Sequence, residues 1–129
     1  MIPTSKSIIG ARPYRIIKSH ITKMFEIMAA SGKLCRVSEM DMGYVRGNNR
    51  WGSSIKTNQV TEEEHQKMAH FYEWIIQEYF RIIPPEQQWG ICQWCTTDSP
   101  NGSGWRGGEP VGIWDLKAKI GRASCRERV

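Results

Sequence analysis

Apolar and polar positions along this chain recur with two different periods, and each period predicts an element. From Ser19 onward, Ile21, Met24, Phe25 and Met28 fall on one helical face, with Ser19 as the capping residue and Gly32 as the stop. The stretch "KLCRVSEMDM" at 33–42 is short and rich in apolar residues, which predicts a strand. Its two alternating sets are Cys35, Val37, Glu39, Asp41 and Leu34, Arg36, Ser38, Met40, Met42. Both sets hold apolar members, as expected of a strand covered on two faces. Residues 43–60 are polar and turn-rich and predict a long loop. Thr61-Glu62-Glu63-Glu64 then has the spacing of a capping box, and its acids suit the positive start of a helix. Met68, Phe71, Tyr72, Ile75, Ile76, Tyr79 and Ile82 form one stripe on that helix, and Pro84-Pro85 ends it. A second strand is predicted over roughly Trp89–Thr96, followed by a Gly- and Pro-rich loop to Gly112 and a short apolar "GIWDL". Residues 1–17 show no clean period and receive no element.

The resulting order is helix, strand, long loop, helix, strand, loop. It is an α/β arrangement in which parallel strands joined by a right-handed crossover are the default. Both long loops follow the C-terminal ends of strands, the face that carries the chemistry in α/β barrels and open α/β sheets.

Composition narrows this picture only in places. The 129 residues suffice for one core, and no run approaches the ~20 apolar residues of a membrane span. The first residues lack a signal peptide's charged start, apolar middle and cleavage site. The net charge of +5 would raise the question of nucleic acid. However, the final stretch "IGRASCRERV" at 120–129 holds three Arg against one Glu and resembles the in-frame translation of a sequencing-library adapter. It is read as a non-native tail and set aside. The remaining charge is spread out and argues against a nucleic-acid partner. Cys92 and Cys95 have C-x-x-C spacing, but no second pair completes a zinc site. On a strand the two thiols would point to opposite faces, so they are read as small half-buried residues. No metal or cofactor is expected. His20, His65 and His70 fall on predicted helices; His65 and His70 do not share a face as an i,i+4 ligand pair would, and all three are read as solvated.

Candidate chemistry gathers in two places. In "SEMDMGY" at 38–44, Glu39 and Asp41 stand two apart at the end of a predicted buried strand. Carboxylates there need either a partner or a job. Their spacing of about 6.5–7 Å, from the ~3.3 Å rise per residue, is near that of a glycosidase pair. Yet both lie on one wall, whereas such a pair flanks the scissile bond; a catalytic Glu39 would need its counterpart on another strand. The plain alternative is an ion-paired strand-end acid. The second place is Trp94, Asp98, Trp105 and Arg106, within a cluster that also includes Trp89 and Trp114. Aromatic planes cover the apolar faces of sugar rings while acids and Arg bind hydroxyls, so this mixture suits carbohydrate. The plain alternative for Trp94 is a core residue.

These motifs resemble those of glycoside hydrolase family 10, the endo-1,4-β-xylanases. The family's seventh strand carries T/S-E-L-D, matched by Ser38-Glu39-Met40-Asp41 with Met in place of Leu. Its eighth strand carries W-G-x-T-D-x-x-S-W, matched by Trp94, Thr97 and Asp98 and then Gly104-Trp105-Arg106, with Cys95 in place of Gly and a longer loop before the second Trp. The resemblance covers about residues 19–117. It implies that residues 1–119 are the C-terminal portion, about strands seven and eight with their helices, of an incomplete TIM (β/α)8 barrel. It implies retaining hydrolysis of xylan, with Glu39 as nucleophile. Trp94 and Trp105 would enclose the sugar, with Arg106, Asp98 and Asp41 near it. Tyr44 and Trp51 would reach sugar on the leaving-group side. The family's acid/base Glu, on its fourth strand, has no counterpart here, so this chain is expected to be inactive alone. A parent of this family would be secreted or at the cell surface. The competing reading is a non-catalytic carbohydrate-binding piece in which Glu39 is only structural.

Overall fold

A computed structural model describes residues 12–44 and 55–116. Trp51, most of the loop after the first strand, and the adapter-like tail lie outside the described residues. Two helices cover one side of a two-stranded parallel sheet. The order is α1 (Arg12–Ala30), β1 (Cys35–Met40), α2 (Glu62–Ile82) and β2 (Gln88–Gln93), with short 3-10 turns at Thr57–Gln59 and Pro85–Gln87.

The helix α1 already includes Arg12, the first residue described, so Ser19 lies inside it and is not its cap. Gly32 ends the helix as anticipated, at a left-handed φ of +67°. The capping box of α2 also forms. Thr61 Oγ1 accepts from Glu64 N–H (3.2 Å) and the Glu64 carboxylate accepts from Thr61 N–H (2.9 Å), a pairing that contributes about 1 kcal/mol.

The core lies between the helices and the sheet: Phe25, Cys35, Tyr79 and Ile83 are buried, with Val37, Ile75 and Ile91 packed against them. Phe25 and Tyr79 meet edge to face at 5.7 Å. Each fully buried ring contributes about 1.5–3 kcal/mol relative to an exposed one. His65 is buried, correcting the solvated reading; it stands one turn before Met68 and extends the same apolar stripe. His20 and His70 are exposed.

Both strands are shorter than predicted, and neither is straight. Cys35 faces Gln88 while Arg36 faces Gly90, so Trp89 is an extra residue on β2. Val37 faces Ile91 while Met40 faces Gln93, so β1 carries an extra residue between them. The two bulges offset one another. Gly90 adopts φ +121° at the first, a backbone state that glycine permits. Tyr79 fills the same place from α2: its hydroxyl donates to Cys35 carbonyl (2.7 Å) and accepts from the N–H groups of Trp89 and Gly90 (3.0 Å each).

Across the helix pair, Thr22 Oγ1 donates to Glu78 (2.7 Å), which also binds Arg81. The Arg81 guanidinium, and then Thr22, hold the Glu78 carboxyl below its ordinary range against partial burial. A depressed carboxylate stabilises the fold above its unfolded pKa, and the gain disappears as pH falls through the folded value. Glu78→Gln should therefore cost under about 1 kcal/mol at pH 7. Urea unfolding of both chains should show that difference shrinking below pH 4.5.

Candidate functional site

Among the described residues, the helix-free side of the sheet is the open one. Cys35, Val37 and Ile91 face the helices. Met40 also lies on the helix side, in a cleft of about 390 Å³ lined by Tyr72, Ile76, Phe80 and Ile113. Arg36, Ser38 and Glu39 are exposed. The extra residue in β1 makes this possible. Without it, the alternation that buries Cys35 and Val37 would bury Glu39 as well. The acid at the centre of "SEMD" is therefore solvent-facing, which corrects the expectation of a buried strand end.

Three indole rings are exposed in this region: Trp89 (64%), Trp94 (44%) and Trp105 (44%). Arg36 stacks on Trp89 at 5.6 Å. Trp94 is therefore not a core residue. It also does not belong to β2, which ends at Gln93; its N–H still reaches Met40 carbonyl (2.9 Å). Cys95 then turns the chain with φ +71°, so the predicted strand to Thr96 is broken before it. Cys92 and Cys95 are half-buried free thiols, as read. Trp89 was not among the candidate residues, because a Trp opening an apolar strand gives no sign of a bulge.

Trp105 sits on a compact loop with its own hydrogen bonds. Ser99 N–H donates to Glu109 carbonyl (3.1 Å) and Gly108 N–H to Pro100 carbonyl (3.0 Å). The Ser99 and Ser103 hydroxyls converge on Trp105 carbonyl at 2.7 and 2.8 Å. The loop is tied to the segment before α2: Lys56 Nζ donates to Gly107 carbonyl (2.5 Å) and Thr57 N–H to Gly108 carbonyl (2.8 Å).

Two candidate residues turn inward. Asp98 is buried and its carboxylate accepts from Gly112 N–H (3.0 Å), bracing the loop's return rather than facing the open side. The Tyr44 ring is buried with Val60 and Met68, against Met42 and Ile55. An apolar ring at a strand's end buries more area by folding under the loop.

Asp41 is half-buried just past β1, with Oδ2 3.5 Å from an Arg106 guanidinium nitrogen. Arg106 Nε also lies 2.6 Å from Glu109 Oε2. Neither approach is aligned as a hydrogen bond, so both are ion-pair contacts. Burial raises the pKa of the nearby Tyr72 phenol, the Asp41 charge adds to the rise, and Gln93 opposes it. Among the described residues, no group of three or more His, Cys, Asp or Glu side chains is placed to hold a metal ion. No helix among them is long and apolar enough to cross a membrane.

No family model matches the chain, and no curated protein matches it by sequence. Its fold is shared with solved structures. One is the catalytic core of xylanase A, at TM-score 0.64 and 17% identity, over 82% of this chain and 33% of that one. A thermostable mutant of a xylanase (Xyn10A) from Cellvibrio japonicus matches at TM-score 0.64 and 19% identity, over 81% of this chain and 33% of that one. A mutant of Xylanase10C from Cellvibrio japonicus, in complex with xylopentaose, matches at TM-score 0.64 and 19% identity, over 81% and 22%. The chain thus spans a third or less of the length of the structures it matches. At these identities the likeness is one of fold: an α/β piece with parallel strands that matches part of a xylanase barrel.

Proposed function

We propose that this chain is part of a retaining endo-1,4-β-xylanase of glycoside hydrolase family 10, from a secreted or cell-surface parent, and that Glu39 is its nucleophile. The observation that carries the reading is the exposed Glu39 on the helix-free side of a parallel sheet, with the exposed Trp94 and Trp105 following β2. In an α/β barrel that side is the interior, and the ends of the strands face the substrate.

The chemistry follows from a carboxylate so placed. Indole faces hold the sugar ring against solvent. The Glu39 carboxylate attacks the anomeric carbon, a C–O ester forms as the glycosidic C–O bond breaks, and water then cleaves the ester. The departing sugar oxygen must take a proton from a second carboxyl across the scissile bond. The family resemblance gives that acid no counterpart here, so the chain alone should not turn over xylan.

An activated glycoside separates this reading from a binder that merely displays tryptophans. A 2-fluoro-xylobioside with a dinitrophenolate leaving group needs no proton donor. Mass spectrometry should find one glycosyl adduct, on Glu39, and none in Glu39→Gln. Titration with xylopentaose should quench indole fluorescence, and Trp94→Ala or Trp105→Ala should each weaken binding by about tenfold. Binding without any adduct would support the non-catalytic carbohydrate-binding reading instead. Turnover of xylan by the purified chain would show that the acid is present after all.

A further inference from the structure

Arg106 stands where two parts of the structure meet, the end of β1 and the Trp105 loop. Its guanidinium lies 3.5 Å from Asp41, just past β1, and 2.6 Å from Glu109 at the end of the Trp105 loop. It also sits over the Trp105 ring at 5.8 Å. The backbone at this residue is left-handed, φ +49°, a state that non-glycine residues rarely adopt without a surrounding structure to hold them. That structure is present on both sides: the seryl hydroxyls fix Trp105 carbonyl, and Lys56 and Thr57 fix the carbonyls of Gly107 and Gly108.

We infer that Arg106 is a positioning residue, a clasp that fixes the Trp105 ring relative to β1 by pairing with Asp41 and Glu109 at once. Three observations favour this over a direct role on substrate. Two carboxylates already occupy the guanidinium, Arg106 is itself only partly exposed, and its Cζ lies over an indole ring at 5.8 Å. A planar fork suits this arrangement: it can reach two acids edge-on while stacking on a ring, which a lysine ammonium cannot do. Charge balance points the same way. Asp41 and Glu109 would repel one another if brought to the same place without a cation between them, so the clasp is also what lets the loop approach the strand end. The inference refines the xylanase reading by assigning the residue that sets how a sugar-facing ring is held, but its main test needs no sugar.

The indole N–H cross-peak of Trp105 in the 15N-labelled full chain, assigned by its loss in Trp105→Phe, reports the ring's surroundings. Arg106→Gly relieves the left-handed backbone while removing the clasp. It should leave the melting transition in place, yet move the Trp105 signal to the position of a solvent-averaged indole. Asp41→Asn leaves Arg106 and its backbone intact and alters a residue on a different element; it should move the same signal in the same direction by a smaller amount. Arg106→Lys should restore the loop's charge balance without restoring the signal. Should Arg106→Gly fail to fold, Asp41→Asn and Glu109→Gln decide the matter alone. An unmoved Trp105 signal in Asp41→Asn and Glu109→Gln overturns the clasp. In a second arm, xylopentaose binding should weaken on the order of tenfold in Arg106→Gly. A chain that binds no xylopentaose at all would count against the xylanase reading, and the cross-peak would still decide the role of Arg106.

Discussion

Removing one oxygen in Tyr79→Phe is expected to destabilise the chain by about 2–4 kcal/mol. The ring itself would stay. Its edge contacts with Phe25 and Phe80, at 5.7 and 5.2 Å, need no hydroxyl. What would disappear is the acceptor for the N–H groups of Trp89 and Gly90 and the donor to Cys35 carbonyl. A phenol has one proton to give and two lone pairs to offer, and this one uses all three. Trp89 is the extra residue at the bulge and has no partner on β1 to replace the phenol. Urea unfolding followed by far-UV circular dichroism measures the loss; a value below about 1 kcal/mol would mean that the backbone groups find water instead.

Gly112→Ala should cost at least as much, about 3 kcal/mol or more, for a reason of volume. A methyl group at residue 112 would overlap the carbonyl carbon and oxygen of Thr97 and the amide nitrogen of Asp98. These are backbone atoms, unable to swing aside as a flexible side chain could. They also belong to the seam that closes the long loop: Trp114 N–H bonds Thr96 carbonyl (3.0 Å), Asp98 N–H bonds Trp114 carbonyl (2.8 Å), and Asp98 accepts from Gly112 itself. The seam must open or the methyl cannot fit. Thermal melts should fall, and limited proteolysis should acquire new cuts between residues 96 and 116. Gly104→Ala is the matched control. Nothing lies within 4 Å of its added methyl, and stability should stay within about 0.5 kcal/mol. Equal behaviour of the two variants would refute the packing argument.

Local signals in the sequence located most of the fold. Thr61 with Glu64, the stripe from Met68 to Ile82, and the double proline after it gave α2 nearly to the residue, because capping and helical spacing are properties of neighbours along the chain. Gly32 ended α1 for the same reason. The misses share a cause of the opposite kind. Ser19 looked like a cap because nothing local says that the helix already runs through Arg12. His65 looked solvated because burial depends on what lies opposite, not on the residue itself. The burial of Tyr44 and Asp98 was likewise not legible, because it depends on bonds between distant residues, such as Ile55 to Tyr44 and Gly112 to Asp98. Glu39, Asp41, Trp94, Trp105 and Arg106 were legible as a group because side chains rich in charge and aromaticity are conspicuous in a row. The links among them, Arg106 to Asp41 and to Glu109, follow from the fold alone.

The extra residue carried by β1 leaves the strand in two frames, one before it and one after. Cys35 and Val37 obey the first; Glu39 and Met40 obey the second. A chemist grafting "SEMD" onto a straight, regularly paired strand would therefore transplant the letters and lose the geometry, since the carboxylate and the thioether would exchange sides. The portable unit is the tetrapeptide together with its slip.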